Sequence, residues 1–206
     1  MNPWMIILIE TLAITAIGSL LHFAYAWSGY KKWMAAFAAV NESTWEHVKL
    51  ALSGTFACML VDVWFLGSNP NYWLARSVSF LVPIIVIPIV FYGYTNFTRR
   101  AVLPVDILTF AAAAFLGSAA FVGILEAPAF SDGVNFLAGI VSLLIMVLYL
   151  LLTYFPLPRN RMFEDPITHK YGLAAVKKPV RKSLRKTASK ATKQSSQKSR
   201  AKKSRK

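Results

Sequence analysis

The stretch Ala39-Val-Asn-Glu-Ser-Thr-Trp-Glu-His-Val-Lys-Leu50 separates two long apolar runs and is the densest group of polar residues before the basic C-terminal tail. Ser43 precedes Glu46 by three positions, immediately before the second run, which is the pattern of a capping box. In that motif the Ser43 side chain accepts a hydrogen bond from the Glu46 amide, and the Glu46 carboxylate accepts one from the Ser43 amide. The stretch therefore predicts the start of a helix at the surface of an apolar bundle.

The composition around this stretch is that of a membrane protein. Hydrophobic residues make up 56% of the chain and charged residues 16%, against roughly 25% charged residues in soluble domains. A membrane-spanning helix needs about 20 predominantly apolar residues. The stretches that meet this requirement are roughly 4–27, 47–67, 73–95, 102–125 and 134–156. The predicted fold is all-α, a five-helix transmembrane bundle in a multi-pass protein of the cell membrane.

The charges divide the chain into a neutral body and a basic tail. Residues 1–176 carry 9 Lys/Arg and 9 Asp/Glu, whereas residues 177–206 carry 14 Lys/Arg and no acidic residue. We expect a transmembrane bundle at 1–156, a juxtamembrane segment at 157–176 that starts with helix-breaking prolines, and a disordered tail at 177–206. The tail is expected to contact anionic lipids, or more weakly the phosphates of nucleic acid. The other possibility is that the basic tail serves only to fix the orientation of the helices in the membrane.

The basic residues also orient the predicted bundle. With five spans, the loop after the first helix, the loop after the third helix and the basic tail all lie on one side, and they hold most of the Lys and Arg. The positive-inside rule then predicts an N-terminus outside and a C-terminus in the cytoplasm. The first apolar run lacks a preceding basic segment and contains Glu10, so we expect a retained helix rather than a cleaved signal. The single cysteine, Cys58, excludes an internal disulfide.

Ionisable residues inside a membrane are costly and normally face the interior of the bundle or water. The predicted topology sorts them into two layers. The candidate outer polar layer consists of Glu10, Asp62 and Arg76. The candidate cytoplasmic-side polar cluster consists of His22, Asn41, Glu42, Glu46 and His47. Packing alone accounts for an Asp62–Arg76 ion pair and for a polar His22 on a helix face. A proton or ion path through both layers is the functional alternative.

The cytoplasmic-side cluster contains the residue types that bind zinc. However, the chain has no His-Glu-x-x-His motif and no paired cysteines. Glu46 and His47 are neighbours on a helix and point about 100° apart. We therefore predict no metal and no cofactor. Three classes of function stay open. The protein transports a small solute, a proton or an ion through the cluster, or it is a membrane-embedded hydrolase that uses the cluster. The third class is a membrane scaffold that contacts lipid or nucleic acid through the basic tail.

Two segments together resemble an uncharacterised family of small bacterial multi-pass membrane proteins, classed as a domain of unknown function. They are Gly18-Ser-Leu-Leu-His-Phe-Ala-Tyr-Ala-Trp-Ser-Gly29 and the stretch 39–50, and residues 165–172 resemble the end of the same family. The resemblance covers about residues 5–173 and leaves out the tail. It implies as signature positions His22, Tyr25, Trp27, Asn41, Glu42, Trp45, Glu46 and His47. The family usually has glycine in place of His169, and the resemblance implies no activity.

Overall fold

The computed structural model describes residues 2–176, so the predicted basic tail lies outside the described residues. The helices that are long and apolar enough to cross a membrane are α1 (Pro3–Trp27), α2 (Thr44–Leu66), α3 (Tyr72–Thr98), α4 (Leu103–Leu125) and α5 (Asp132–Tyr154). The prediction of five such helices is confirmed, and residues 2–176 form no strand beyond an isolated bridge. The apolar segment between α1 and α2 folds into a short 3₁₀ helix, Lys32–Ala36.

Hydrogen bonds between connections define two faces of the bundle. The Asn71 side chain donates to the carbonyl oxygens of Ile124 and Ala127 at 3.0 and 2.9 Å, which joins the α2–α3 and α4–α5 connections. On the other side, the Asn41 side chain donates to the Gly172 carbonyl at 3.1 Å, which joins the α1–α2 connection to the chain after α5. We call this second side the C-terminal face. It is the side that the sequence predicts to be cytoplasmic.

The helix α2 lies at the centre of the bundle. In its most apolar 18-residue stretch, 56% of the residues are buried, against 22% in the corresponding stretches of α1 and α5. Large apolar side chains of the outer helices are exposed, including Leu12 on α1, Leu108 on α4 and Phe136 on α5. A chain folded in water rarely leaves so much contiguous apolar surface uncovered. The five helices therefore suggest a membrane protein, in which polar residues on α2 meet the interior of the bundle.

Candidate functional site

At the C-terminal face, three of the predicted site residues converge from separate parts of the chain. His22 lies near the end of α1, Glu42 lies in the connection that precedes α2, and His47 lies at the start of α2. The Nε2 atoms of His22 and His47 are 3.7 and 3.9 Å from the same carboxylate oxygen of Glu42. One ligand atom from each residue lies within 4.8 Å of the other two. We call these residues the His-Glu trio.

A backbone hydrogen bond sets the orientation of one imidazole in the His-Glu trio. Nδ1 of His47 lies 3.0 Å from the carbonyl oxygen of Ser43. Because a carbonyl oxygen can only accept, this contact is a hydrogen bond when Nδ1 carries the hydrogen, and it turns Nε2 toward Glu42. A histidine that binds a metal is normally held in this way by a carbonyl or carboxylate. The turn that carries Glu42 is held in turn, since the Ser43 amide donates to the Asn41 side chain at 2.8 Å.

The charge of Glu42 suits the same role. The neighbouring His22 imidazole lowers the pKa of the Glu42 carboxyl below its usual range, and this outweighs the opposite effect of partial burial. Glu42 is therefore a carboxylate at neutral pH. Its side chain is 47% exposed and is therefore open to solvent.

Two imidazoles and one carboxylate form a recognised ligand set for divalent transition metals. Zinc binds such nitrogen and oxygen atoms at about 2.0–2.2 Å, so tetrahedral ligands lie roughly 3.3 Å apart. The ligand atoms of the His-Glu trio are farther apart than this, at 3.7 and 3.9 Å for the two histidine–glutamate pairs and within 4.8 Å overall, so metal binding requires them to move closer together. Three protein ligands leave a coordination position for water, as in catalytic rather than structural zinc sites. The same ligands on one face of an octahedron bind Fe(II).

The sequence predicted no metal because it contains no zinc-binding motif or paired cysteines and because Glu46 and His47 are adjacent on a helix. In the structure the carboxylate comes from Glu42, which lies outside the helix, and the second imidazole comes from α1. Adjacent Glu and His side chains on a helix point in different directions and cannot bind the same metal ion. A residue that precedes the helix is not restricted in this way. The five-residue interval between Glu42 and His47, across the predicted helix start, was the signal available in the sequence.

Glu46 belongs to a different, buried pair, and the predicted capping box is wrong. Its carboxylate lies 2.6 Å from Nζ of Lys49 and accepts from the Val40 amide at 2.9 Å. Nζ of Lys49 also donates to the Ala35 carbonyl at 2.9 Å. The Ser43 side chain makes no cap hydrogen bond. Both charged side chains are fully buried. Because a buried charge without a partner is very costly, Glu46 pairs with Lys49 and does not accept the capping hydrogen bond at the helix start. We call this the Lys49 pair.

The residues of the predicted outer layer form one ion cluster deep in the bundle, the Arg76 cluster. Nη2 of Arg76 lies 2.9 Å from Glu10 and forms a short contact with Asp62. The Tyr72 hydroxyl donates to Asp62 at 2.5 Å, and the Phe121 ring lies 3.5 Å from the guanidinium carbon. Within residues 2–176, Nε and Nη1 of Arg76 and one oxygen of Glu10 have no hydrogen-bond partner. The cluster joins α1, α2 and α3.

His169 lies apart from the His-Glu trio. Its Nδ1 is 2.7 Å from the Glu164 carboxylate, and its side chain is exposed on the segment after α5. It therefore serves as a reference histidine for experiments on the other two.

Comparison with known proteins identifies one family. A family model described as a family of unknown function, DUF6512, matches residues 1–173. This agrees with the resemblance to a domain of unknown function found in the sequence. No curated protein and no solved structure matches the chain.

Proposed function

The chain belongs to the DUF6512 family, a family of unknown function, and we propose that it is a membrane-embedded, metal-dependent hydrolase with its metal at the His-Glu trio. The observation that carries the proposal is the convergence of His22, Glu42 and His47 on one point at an exposed membrane face. Zinc is the first candidate, because two histidines and one glutamate are the ligands of a known class of hydrolytic zinc sites.

The proposed chemistry follows from the open coordination position. A zinc ion held at the His-Glu trio would lower the pKa of its bound water to about 7 and so supply hydroxide at neutral pH. An ester would then be hydrolysed with one water consumed: the proton that the water loses goes to the leaving oxygen, and no oxidant or reductant is needed. Glu42 and the two imidazoles would hold the metal, and the exposure of Glu42 would give water access to it.

Metal analysis of the purified protein tests the first part of this proposal. The full chain is purified in detergent through a tag without histidine, loaded with zinc, desalted and analysed for elements. We expect about one zinc per chain, and we expect His22→Ala and His47→Ala each to lose most of it, since two remaining ligands bind a metal weakly. His169→Ala removes a histidine outside the His-Glu trio and should keep the metal.

Hydrolysis of p-nitrophenyl acetate and p-nitrophenyl phosphate by the same preparations tests the second part. Turnover should require zinc and should be lost in both His22→Ala and His47→Ala. Absence of zinc from the wild-type protein contradicts the metal site. So does an equal loss of bound zinc in His22→Ala, His47→Ala and His169→Ala. Zinc binding without zinc-dependent turnover of either ester contradicts the hydrolase.

Transport of a proton or small ion is the second candidate, and the Arg76 cluster is the observation that favours it. Two carboxylates face a single guanidinium there, and buried polar atoms of Glu10 and Arg76 lack partners among residues 2–176. Buried ionisable groups in membrane proteins often belong to proton or ion paths.

We also propose the orientation predicted from the sequence, with the C-terminal face in the cytoplasm, and the predicted contact of the basic tail with anionic lipid.

A further inference from the structure

We infer that a groove beside the His-Glu trio binds a phosphate group, either that of a phospholipid head group or that of a soluble phosphate ester. The inference names the substrate class of the proposed hydrolase and rests on that proposal for the reaction, although binding itself needs no metal. The groove opens at the C-terminal face and has a volume of about 1090 Å³. Glu42 and Thr44 form its wall on the side of the His-Glu trio.

Four arginines line this groove, which we call the arginine groove. They come from two segments that are far apart in the sequence: Arg99 and Arg100 follow α3, and Arg159 and Arg161 follow α5. The positive-inside rule accounts for basic residues at this face. It does not account for their convergence on one concavity.

Within the part of the chain that the structure describes, these arginines form no ion pair. Among residues 2–176, no carboxylate lies within 4.0 Å of any of the four guanidinium groups. The acidic residues that line the groove have histidine neighbours instead. Glu164 lies 2.7 Å from His169, and Glu42 lies beside His22. The groove therefore presents unpaired guanidinium groups, whose planar donors match the oxygens of a phosphate in a two-point hydrogen bond.

Aromatic side chains give the arginine groove an apolar part. Phe91, Tyr92 and Phe97 line it. The guanidinium carbon of Arg161 lies 5.4 Å from the centre of the Tyr92 ring, which orients that arginine by a cation–π contact. The Tyr92 hydroxyl donates to Thr44 at 3.1 Å and so joins this wall to the start of α2. The volume is slightly above the range of about 300–1,000 Å³ that is typical of small-molecule sites, and it accommodates a phosphate with an attached organic group.

Binding measurements on the full chain in detergent, with EDTA present, test the arginine groove without the metal. The ligands are dioctanoyl phosphatidic acid, p-nitrophenyl phosphate and inorganic phosphate. The variant Arg99→Gln/Arg161→Gln removes one guanidinium from each segment. The control Lys31→Gln/Lys32→Gln removes two exposed charges near the same face, outside the groove lining. Both proteins keep the basic tail, so any contribution of the tail to affinity is common to them.

We expect the arginine variant to raise Kd for phosphate-bearing ligands by at least about tenfold, since a hydrogen bond to a charged group contributes about 1.5–3 kcal/mol. The lysine control should change Kd less than about twofold. Tighter binding of phosphatidic acid than of p-nitrophenyl phosphate, weakened in the arginine variant, supports a lipid head group as the ligand. Equal binding of p-nitrophenyl phosphate supports a soluble ester.

Wild-type affinity in the arginine variant overturns the inference, and so does failure of the wild-type protein to bind any of the three ligands. These outcomes are separate from those of the metal analysis. Loss of zinc in His22→Ala with unchanged phosphate binding leaves both proposals intact. If the protein binds phosphate but no zinc, the result supports the arginine groove and contradicts the proposed hydrolase.

Discussion

At the residue scale, two glutamates four positions apart have opposite environments. Glu42 lies before the helix and is half exposed beside two imidazoles, whereas Glu46 is 1% exposed and pairs with Lys49. The same dozen residues therefore supply both a solvent-accessible candidate site and a closed structural pair. The Lys49 pair fastens the short 3₁₀ helix and the start of α2 to each other, because Lys49 reaches Ala35 and Glu46 reaches Val40.

Replacement of Lys49 by methionine is predicted to destabilise the protein strongly. Removing one partner of a buried ion pair leaves an uncompensated charge and typically costs about 3–5 kcal/mol. The double variant Glu46→Gln/Lys49→Met should recover much of this loss, since glutamine is neutral and still accepts from the Val40 amide. Thermal unfolding in detergent measures both effects. A double variant less stable than Lys49→Met would contradict the assignment of the two residues as a pair.

At the element scale, the contact between α1 and α2 depends on a glycine. A Cβ added at Gly54 of α2 would lie 3.0 Å from both the Cα and the carbonyl oxygen of Ile14 on α1. Backbone atoms cannot rotate away as a side chain can, so the two helices would have to separate. Small residues at helix interfaces have this role in membranes, where lipid supplies no hydrophobic drive for helix association.

Gly54→Ala is therefore predicted to lower the free energy of unfolding by about 1–3 kcal/mol, as expected for an overpacked interior. Gly123 on α4 is the matched control, because nothing lies within 4 Å of an added Cβ there. Gly123→Ala should be neutral or stabilising by up to about 1 kcal/mol, through the better helix propensity of alanine. The two variants are compared by thermal unfolding in the same detergent. Equal stability of the two would show that α1 and α2 tolerate a wider spacing.

At the scale of the whole molecule, polar contacts hold the bundle together at two levels. The Arg76 cluster joins α1, α2 and α3, and at the C-terminal face the segment after α5 folds back over the start of α2. There the Trp45 amide donates to the Met162 carbonyl at 2.9 Å, and the Trp45 and Phe163 rings lie 5.0 Å apart. The first level fixes α1, α2 and α3 relative to one another, and the second fixes the segment after α5 on the start of α2.

Variants of the Arg76 cluster separate a structural role from transport. Arg76→Met leaves two buried carboxylates without a counter-charge and is predicted to cost at least about 3–5 kcal/mol. Glu10→Gln keeps one carboxylate beside Arg76 and should change thermal stability far less. In proteoliposomes with an internal pH dye, proton transport predicts that Glu10→Gln or Asp62→Asn reduces proton flux. If both variants match a measurable wild-type flux, or if the wild-type protein gives none, the cluster is structural only.

The sequence by itself determined the five apolar helices and their approximate limits. It could do so because hydropathy and helix length are local properties of the chain. Only the tertiary structure decided which charged groups meet: Glu46 with Lys49, Glu42 with His22 and His47, and Arg76 with two carboxylates. These pairings depend on how each helix is rotated and how the connections fold over the C-terminal face. No periodicity within a single segment specifies those relations.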